Sequence, residues 1–200
     1  FIFISLTTEY LSLEDIIYVA NQTDVISYSE LAKVAPYLPT DSDLIIKHVA
    51  QRFLVPYVIG LTSKLLNIDL FITFKLFTFV FVIFFIYLID FIRRKLNFNF
   101  INSILFFSIL FLNPYIVRNH LFQPVQAHDI LFFSFGLIFA YTVIKKDYFL
   151  NITTIIFCVF LRQTSIAMFL ASSIYFIINK KFKIFFILLI IFTLFFLLII

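Results

Sequence analysis

One cysteine, two glycines and five prolines are spread over 200 residues, and only 13% of the chain is charged. Each shortage excludes something. The lone Cys158 has no partner for an internal disulfide and cannot by itself build a metal site. Lying in an apolar run, it reads as a small buried residue. Two glycines cannot supply a glycine-rich phosphate loop, and no zinc-ligand spacing or basic-aromatic platform for nucleic acid occurs. The same shortage, with no sign of matching halves, counts against a transporter built on glycine-broken helices. An ordinary soluble domain carries about 25% charge and is about half apolar. Here 63% of residues are hydrophobic and the mean hydropathy is +1.10. Lipid must therefore be the solvent for much of this surface. The chain opens on Phe1 and stops inside the apolar run 182–200, so it is expected to continue at both ends. Residues 1–6 read as the tail of a first transmembrane helix, and no cleaved leader is expected.

What charge there is falls unevenly. Seven of the eleven acids, from Glu9 to Asp43, occupy the first polar block; Asp69, Asp90, Asp129 and Asp147 each stand near the end of an apolar segment. Within that block, 13–22 and 29–35 read as short amphipathic helices, broken by Pro36 and Pro39. Residues 49–66 are moderately apolar but hold Arg52, Pro56, Gly60 and Lys64, and either span or lie at the interface. Clear apolar segments follow at 70–92, 100–112, 130–144 and 182–200. The run 149–178 is too long for one crossing and is interrupted by Arg162-Gln163-Thr164-Ser165, which predicts two short helices meeting there.

The net charge of +4 comes mostly from clusters flanking these segments, Arg93–Lys95, Lys145–Lys146 and Lys180–Lys183. Cytoplasmic loops collect Lys and Arg. Placing all three clusters inside makes 70–92 run inward, 100–112 outward and 130–144 inward, with the split pair going out and back. The acidic block, the loop 113–129 and the turn at Arg162 then share the outer face, and 49–66 is favoured as an interfacial helix. The fold expected is all-α: one integral-membrane unit over 1–200, comprising a multi-pass transmembrane helical bundle (53–200) and an extracytoplasmic loop of juxtamembrane helices (8–52).

Four polar groups converge on that face. Glu14 and Asp15 form a carboxylate pair with Tyr18 three residues on; a carboxylate near lipid can act as a general base, or the pair can simply favour a helix N-terminus. His48 and Arg52 come next. Arg52 is suited to phosphate by its planar fork, or to snorkelling at the lipid surface. Lys75 lies a turn or two into the next span, deeper than a snorkelling lysine prefers. The third group runs from Arg118 to His128 and Asp129, where Asp129 either caps a helix or meets substrate. The fourth is Arg162. A guanidinium at membrane depth costs about 2.5–3.5 kcal/mol on insertion scales, which points to a purpose or a wet cavity. Cations beside a carboxylate pair suit a lipid-borne phosphate and an acceptor hydroxyl. No cofactor is demanded, although a divalent cation could assist.

The motif Glu14-Asp15-Ile16-Ile17-Tyr18, in an outer block after a first span, resembles the GT-C superfamily of membrane glycosyltransferases. Many of those carry Asp-Glu, two residues and Tyr in the first outer loop; here the pair is reversed. Arg52-Phe53-Leu54-Val55-Pro56, Lys75, Gln126-Ala127-His128-Asp129 and Arg162-Gln163-Thr164 are similar, in order, to further motifs of these enzymes, although the proline usual after the Asp is absent at Ile130. The resemblance implies transfer of a sugar from a polyprenyl-phosphate donor to an acceptor at the extracytoplasmic face of a bacterial plasma membrane, with inversion. Asp15, with Glu14 as second choice, would be the base. Arg52, Lys75, Arg118 and Arg162 would hold donor phosphate, and Tyr18, His48, His128 and Asp129 would contact substrate. The competing reading is a transporter or lipid flippase.

Overall fold

The computed structural model describes residues 23–37, 52–112 and 123–199. Among them are eight α-helices, two 3-10 turns and no strand. In chain order the helices are α1 (Thr23–Val34), α2 (Leu54–Leu66), α3 (Leu70–Lys95), α4 (Phe100–Leu112), α5 (Ala127–Lys145), α6 (Tyr148–Leu161), α7 (Ile166–Ile178) and α8 (Phe182–Ile199). The 3-10 turn Pro124–Gln126 leads into α5, and Gln163–Ser165 joins α6 to α7.

The connections are short because the same local device recurs. Asn67 closes α2 in the left-handed region (φ 51°), and Asp69 caps α3, accepting from the Ile72 amide at 3.0 Å. Asn97 (φ 52°) and Asn99, which accepts from the Asn102 amide, repeat the arrangement before α4. Lys146 (φ 58°) and Asp147, which accepts from the Leu150 amide, repeat it between α5 and α6. Asparagine tolerates the left-handed conformation, and Asp or Asn satisfies amides that a helix leaves free. Asp69 and Asp147 are thereby accounted for as caps.

Several boundaries differ from those expected. The helix expected at 29–35 begins at Thr23, and α2 begins at Leu54 rather than near 49. Pro56 sits in the first turn of α2, where its missing N–H breaks no helical bond. α5 starts at Ala127, not Ile130, because Pro124 opens a turn that runs straight into it. His128 and Asp129 therefore belong to the helix and not to the loop. Residues 149–178 form two helices, with Arg162 extended (φ −160°, ψ 137°) between them.

Ring and hydroxyl contacts fix the helix directions. α3 and α5 run parallel: Thr78 Oγ1 donates to the Pro124 carbonyl at 3.2 Å at one end, and the Phe91 and Tyr141 rings meet 5.7 Å apart at the other. α6 returns antiparallel, with Phe157 stacked on Phe135 at 5.7 Å and Asn151 Nδ2 donating to Thr142 Oγ1 at 3.0 Å. Ser172 Oγ of α7 donates to Asn151 Oδ1 at 2.7 Å, so a buried polar link ties three helices together. α8 lies back along α7, with Phe192 stacked on Phe169 at 4.0 Å. These directions gather the basic residues ending α3, those ending α5 and those between α7 and α8 at one end of the bundle. Lys181 lies over Tyr148, the first residue of α6, at 5.8 Å. The start of α5 and the end of α6 lie at the opposite end, about 28 Å away over the 19 residues of α5.

The apolar surface is split by face. On α3, Phe74, Thr78, Val82, Phe85, Ile89 and Ile92 are buried at helical spacing. Ile72, Leu76, Phe79, Val80, Ile83, Ile86 and Tyr87 form the opposite stripe and are exposed. Among the described residues two segments, Leu70–Lys95 and Pro124–Lys145, are long and apolar enough to cross a membrane. α4, α6 and α7, with 13, 14 and 13 residues, fall short of the roughly 17 that a full crossing needs.

Candidate functional site

The polar end of the bundle is assembled from α1, α2, α3, α5, α6 and the 3-10 turn before α5. α1 presents Tyr28, Leu31 and Ala32 on one buried face at helical spacing, and Ala35, just past its end, continues it. That face lies on α2, where Gly60 meets Ala32: a Cβ on Gly60 would fall 1.8 Å from the Ala32 carbonyl oxygen. Lys64 Nζ donates to the carbonyls of Lys33 and Ala35, and Tyr57 Oη donates to the Pro36 carbonyl at 2.5 Å. The pinned hairpin shares one apolar cluster with Phe74 of α3, Val125, Phe132 of α5 and Leu161 of α6.

Polar side chains form a chain across this cluster. Arg52 Nη1, just before α2, donates to Tyr28 Oη at 2.9 Å. The Tyr28 ring lies 4.4 Å from the buried imidazole of His128, centroid to centroid. His128 Nε2 is 3.5 Å from Asp129 Oδ1, and the same oxygen is 3.1 Å from Arg162 Nη1, close in distance without hydrogen-bond alignment. The Arg162 guanidinium lies 5.9 Å over the Phe132 ring, one turn further along α5.

Local backbone explains the geometry. α6 stops at Leu161 because Arg162 turns extended, which throws its side chain across to the start of α5. A cation there faces the positive end of the α5 dipole. Asp129, the third residue of α5, offsets that repulsion. It is not the helix cap: Gln126 holds that position and makes no side-chain capping bond.

Among the described residues Arg162 meets the Asp129 carboxylate, whereas Arg52 meets the Tyr28 hydroxyl. The donors Arg52 Nε and Arg162 Nε, and the acceptors Gln123 Oε1 and Asp129 Oδ1, are buried with no hydrogen-bond partner among the described residues. Leaving a buried charged donor unpaired costs about 1–3 kcal/mol or more. An anion's oxygen would complete the two arginine donors; the two acceptor oxygens call for a hydroxyl or amide donor.

The structure brings together four of the residues nominated from sequence, Arg52, His128, Asp129 and Arg162. Lys75 stands on α3 between Phe74 and Thr78, with its ammonium 4.6 Å over the Phe71 ring. Glu14, Asp15, Tyr18, His48 and Arg118 lie outside the described residues. Sequence reasoning missed Tyr28, Gln123 and Phe132. Tyr28 could have been found from its i, i+3, i+4, i+7 pattern with Leu31, Ala32 and Ala35. Among the described residues no three His, Cys, Asp or Glu side chains are grouped to hold a metal ion. Compared with known proteins, the chain matches no family model, no curated protein and no solved structure.

Proposed function

We propose that this chain acts as a multi-pass membrane glycosyltransferase of GT-C type. It moves a sugar from a polyprenyl-phosphate donor to an acceptor at the extracytoplasmic face of a bacterial plasma membrane. The observation that carries the reading is the meeting of Arg52 and Arg162, through Tyr28, His128 and Asp129, at the bundle end opposite the basic clusters. The exposed apolar stripe of α3 supports burial in lipid, since a helix in water turns polar residues outward. Basic clusters mark the cytoplasmic side in membrane proteins, which supports an outer-face site.

The chemistry follows from the charges. Asp15, or Glu14, takes the proton of the acceptor hydroxyl, and the acceptor oxygen attacks the anomeric carbon from the face opposite the leaving phosphate. The C–O bond to the polyprenyl phosphate breaks, and the configuration inverts. Negative charge grows on the departing phosphate, where Arg52 and Arg162, with Lys75 and Arg118, stabilise it. Removing one fixed donor from such a developing charge costs about 10²–10³ in rate. Tyr18, His48, His128 and Asp129 frame the substrate.

The test is sugar transfer from a polyprenyl-phosphate sugar by the full-length protein in proteoliposomes. Asp15→Asn or Glu14→Gln is expected to abolish transfer, and Arg162→Gln to lower kcat by the factor above. Full activity in both carboxylate variants removes the assignment of the base. Movement of the lipid phosphate between leaflets without transfer replaces the enzyme with a flippase.

A further inference from the structure

We infer that Tyr28 is the positioning residue of this site: its hydroxyl holds Arg52 inward, and its ring covers His128. The inference rests on the anion-binding reading of the site and adds the device that aims one of its cations. Arg52 begins an apolar segment, where a long cationic side chain ordinarily extends toward water or headgroups. Here the guanidinium turns inward instead. Nη1 spends one N–H on Tyr28 Oη at 2.9 Å, and Nε stays buried without a hydrogen-bond partner among the described residues. One fixed bond to a five-donor fork orients the remaining donors.

Tyr28 can do this because it is itself held. It is 1% exposed, packed against the His128 ring, and carried by a helix that crosses α2 backbone to backbone at Gly60 and Ala32. Removing the hydroxyl alone leaves the ring packing intact. The oxygen's role is therefore separable from the fold.

The experiment uses the full-length protein in nanodiscs, labelled with 15N-arginine, with Arg52→Lys to assign the Arg52 Nε–H signal. In the unaltered protein this signal is expected to be resolved and immobile; in Tyr28→Phe it moves to the position of mobile surface arginines, at unchanged Tm. Titration with inorganic pyrophosphate is expected to show about tenfold weaker binding for Tyr28→Phe, the loss of one hydrogen bond to a charged group. Tyr28→Phe should cause no further loss once Arg52→Ala is present. An unmoved Nε–H signal overturns the inference, and so does an equal loss of binding in the Arg52→Ala background. Should the signal move while no protein binds pyrophosphate, the Tyr28–Arg52 link stands and the phosphate reading falls.

Discussion

Asp129 and Arg162 illustrate how one pair serves both structure and site. Arg162 lies 30% exposed and Asp129 13% exposed, so the pair is neither a solvated surface bridge nor a fully buried one. Removing Asp129 leaves a guanidinium facing a helix N-terminus with nothing to offset it. Asp129→Ala and Arg162→Ala should each destabilise the protein. The double variant should be less damaging than the sum, with a coupling of about 1 kcal/mol. Thermal unfolding in detergent checks this; additive losses would show that the two side chains do not act on one another. At this scale the sequence was partly readable. Arg162 stands out because a charged residue inside a long apolar run is costly, and Asp129 because it directly precedes one. That they touch was not readable, since contact depends on Arg162 leaving α6 extended. Tyr28 was harder still, one of 10 tyrosines with no unusual neighbour in sequence.

The elements were more legible than their contacts. Apolar length located every helix from α3 onward, and Arg162–Ser165 announced the break between α6 and α7. Boundaries agreed within a residue at the capped turns, Asn67 with Asp69 and Lys146 with Asp147, and missed by more at the starts of α1, α2 and α5, where no hydropathy step marks the first turn. The α1–α2 hairpin was invisible as a unit because it depends on one close approach at Gly60. That approach gives a direct prediction. Gly60→Ala must push the Ala32 backbone away, at a cost of about 1–3 kcal/mol, and should carry Tyr28 off Arg52. Gly136→Ala is the control, because its added methyl meets only Met168 Cε at 3.5 Å, an ordinary contact. The expected result is a lowered Tm and weaker pyrophosphate binding for the first variant and neither for the second. Equal behaviour of the two would mean that the hairpin crossing does not govern the site.

For the molecule as a whole, the central claim is one of sidedness. Parallel α3 and α5, with α6 returning along α5 and α7 and α8 completing the turn, separate two chemically different ends. One gathers lysines and arginines in short turns; the other holds the Arg52–Tyr28–His128–Asp129–Arg162 chain. On the proposed reading lipid lies between them and these ends face opposite compartments. Cys158 is the sole cysteine and is buried, so Cys158→Ser gives a clean background for labelling. Single cysteines at Asn67, beside the start of α3, and at Asn97 and Asn179, at the basic end, then report each side in intact cells with a membrane-impermeant maleimide. The account predicts that Asn67→Cys labels at once, and that Asn97→Cys and Asn179→Cys label only after the membrane is permeabilised. Labelling of all three from outside, or of the basic end alone, would contradict it.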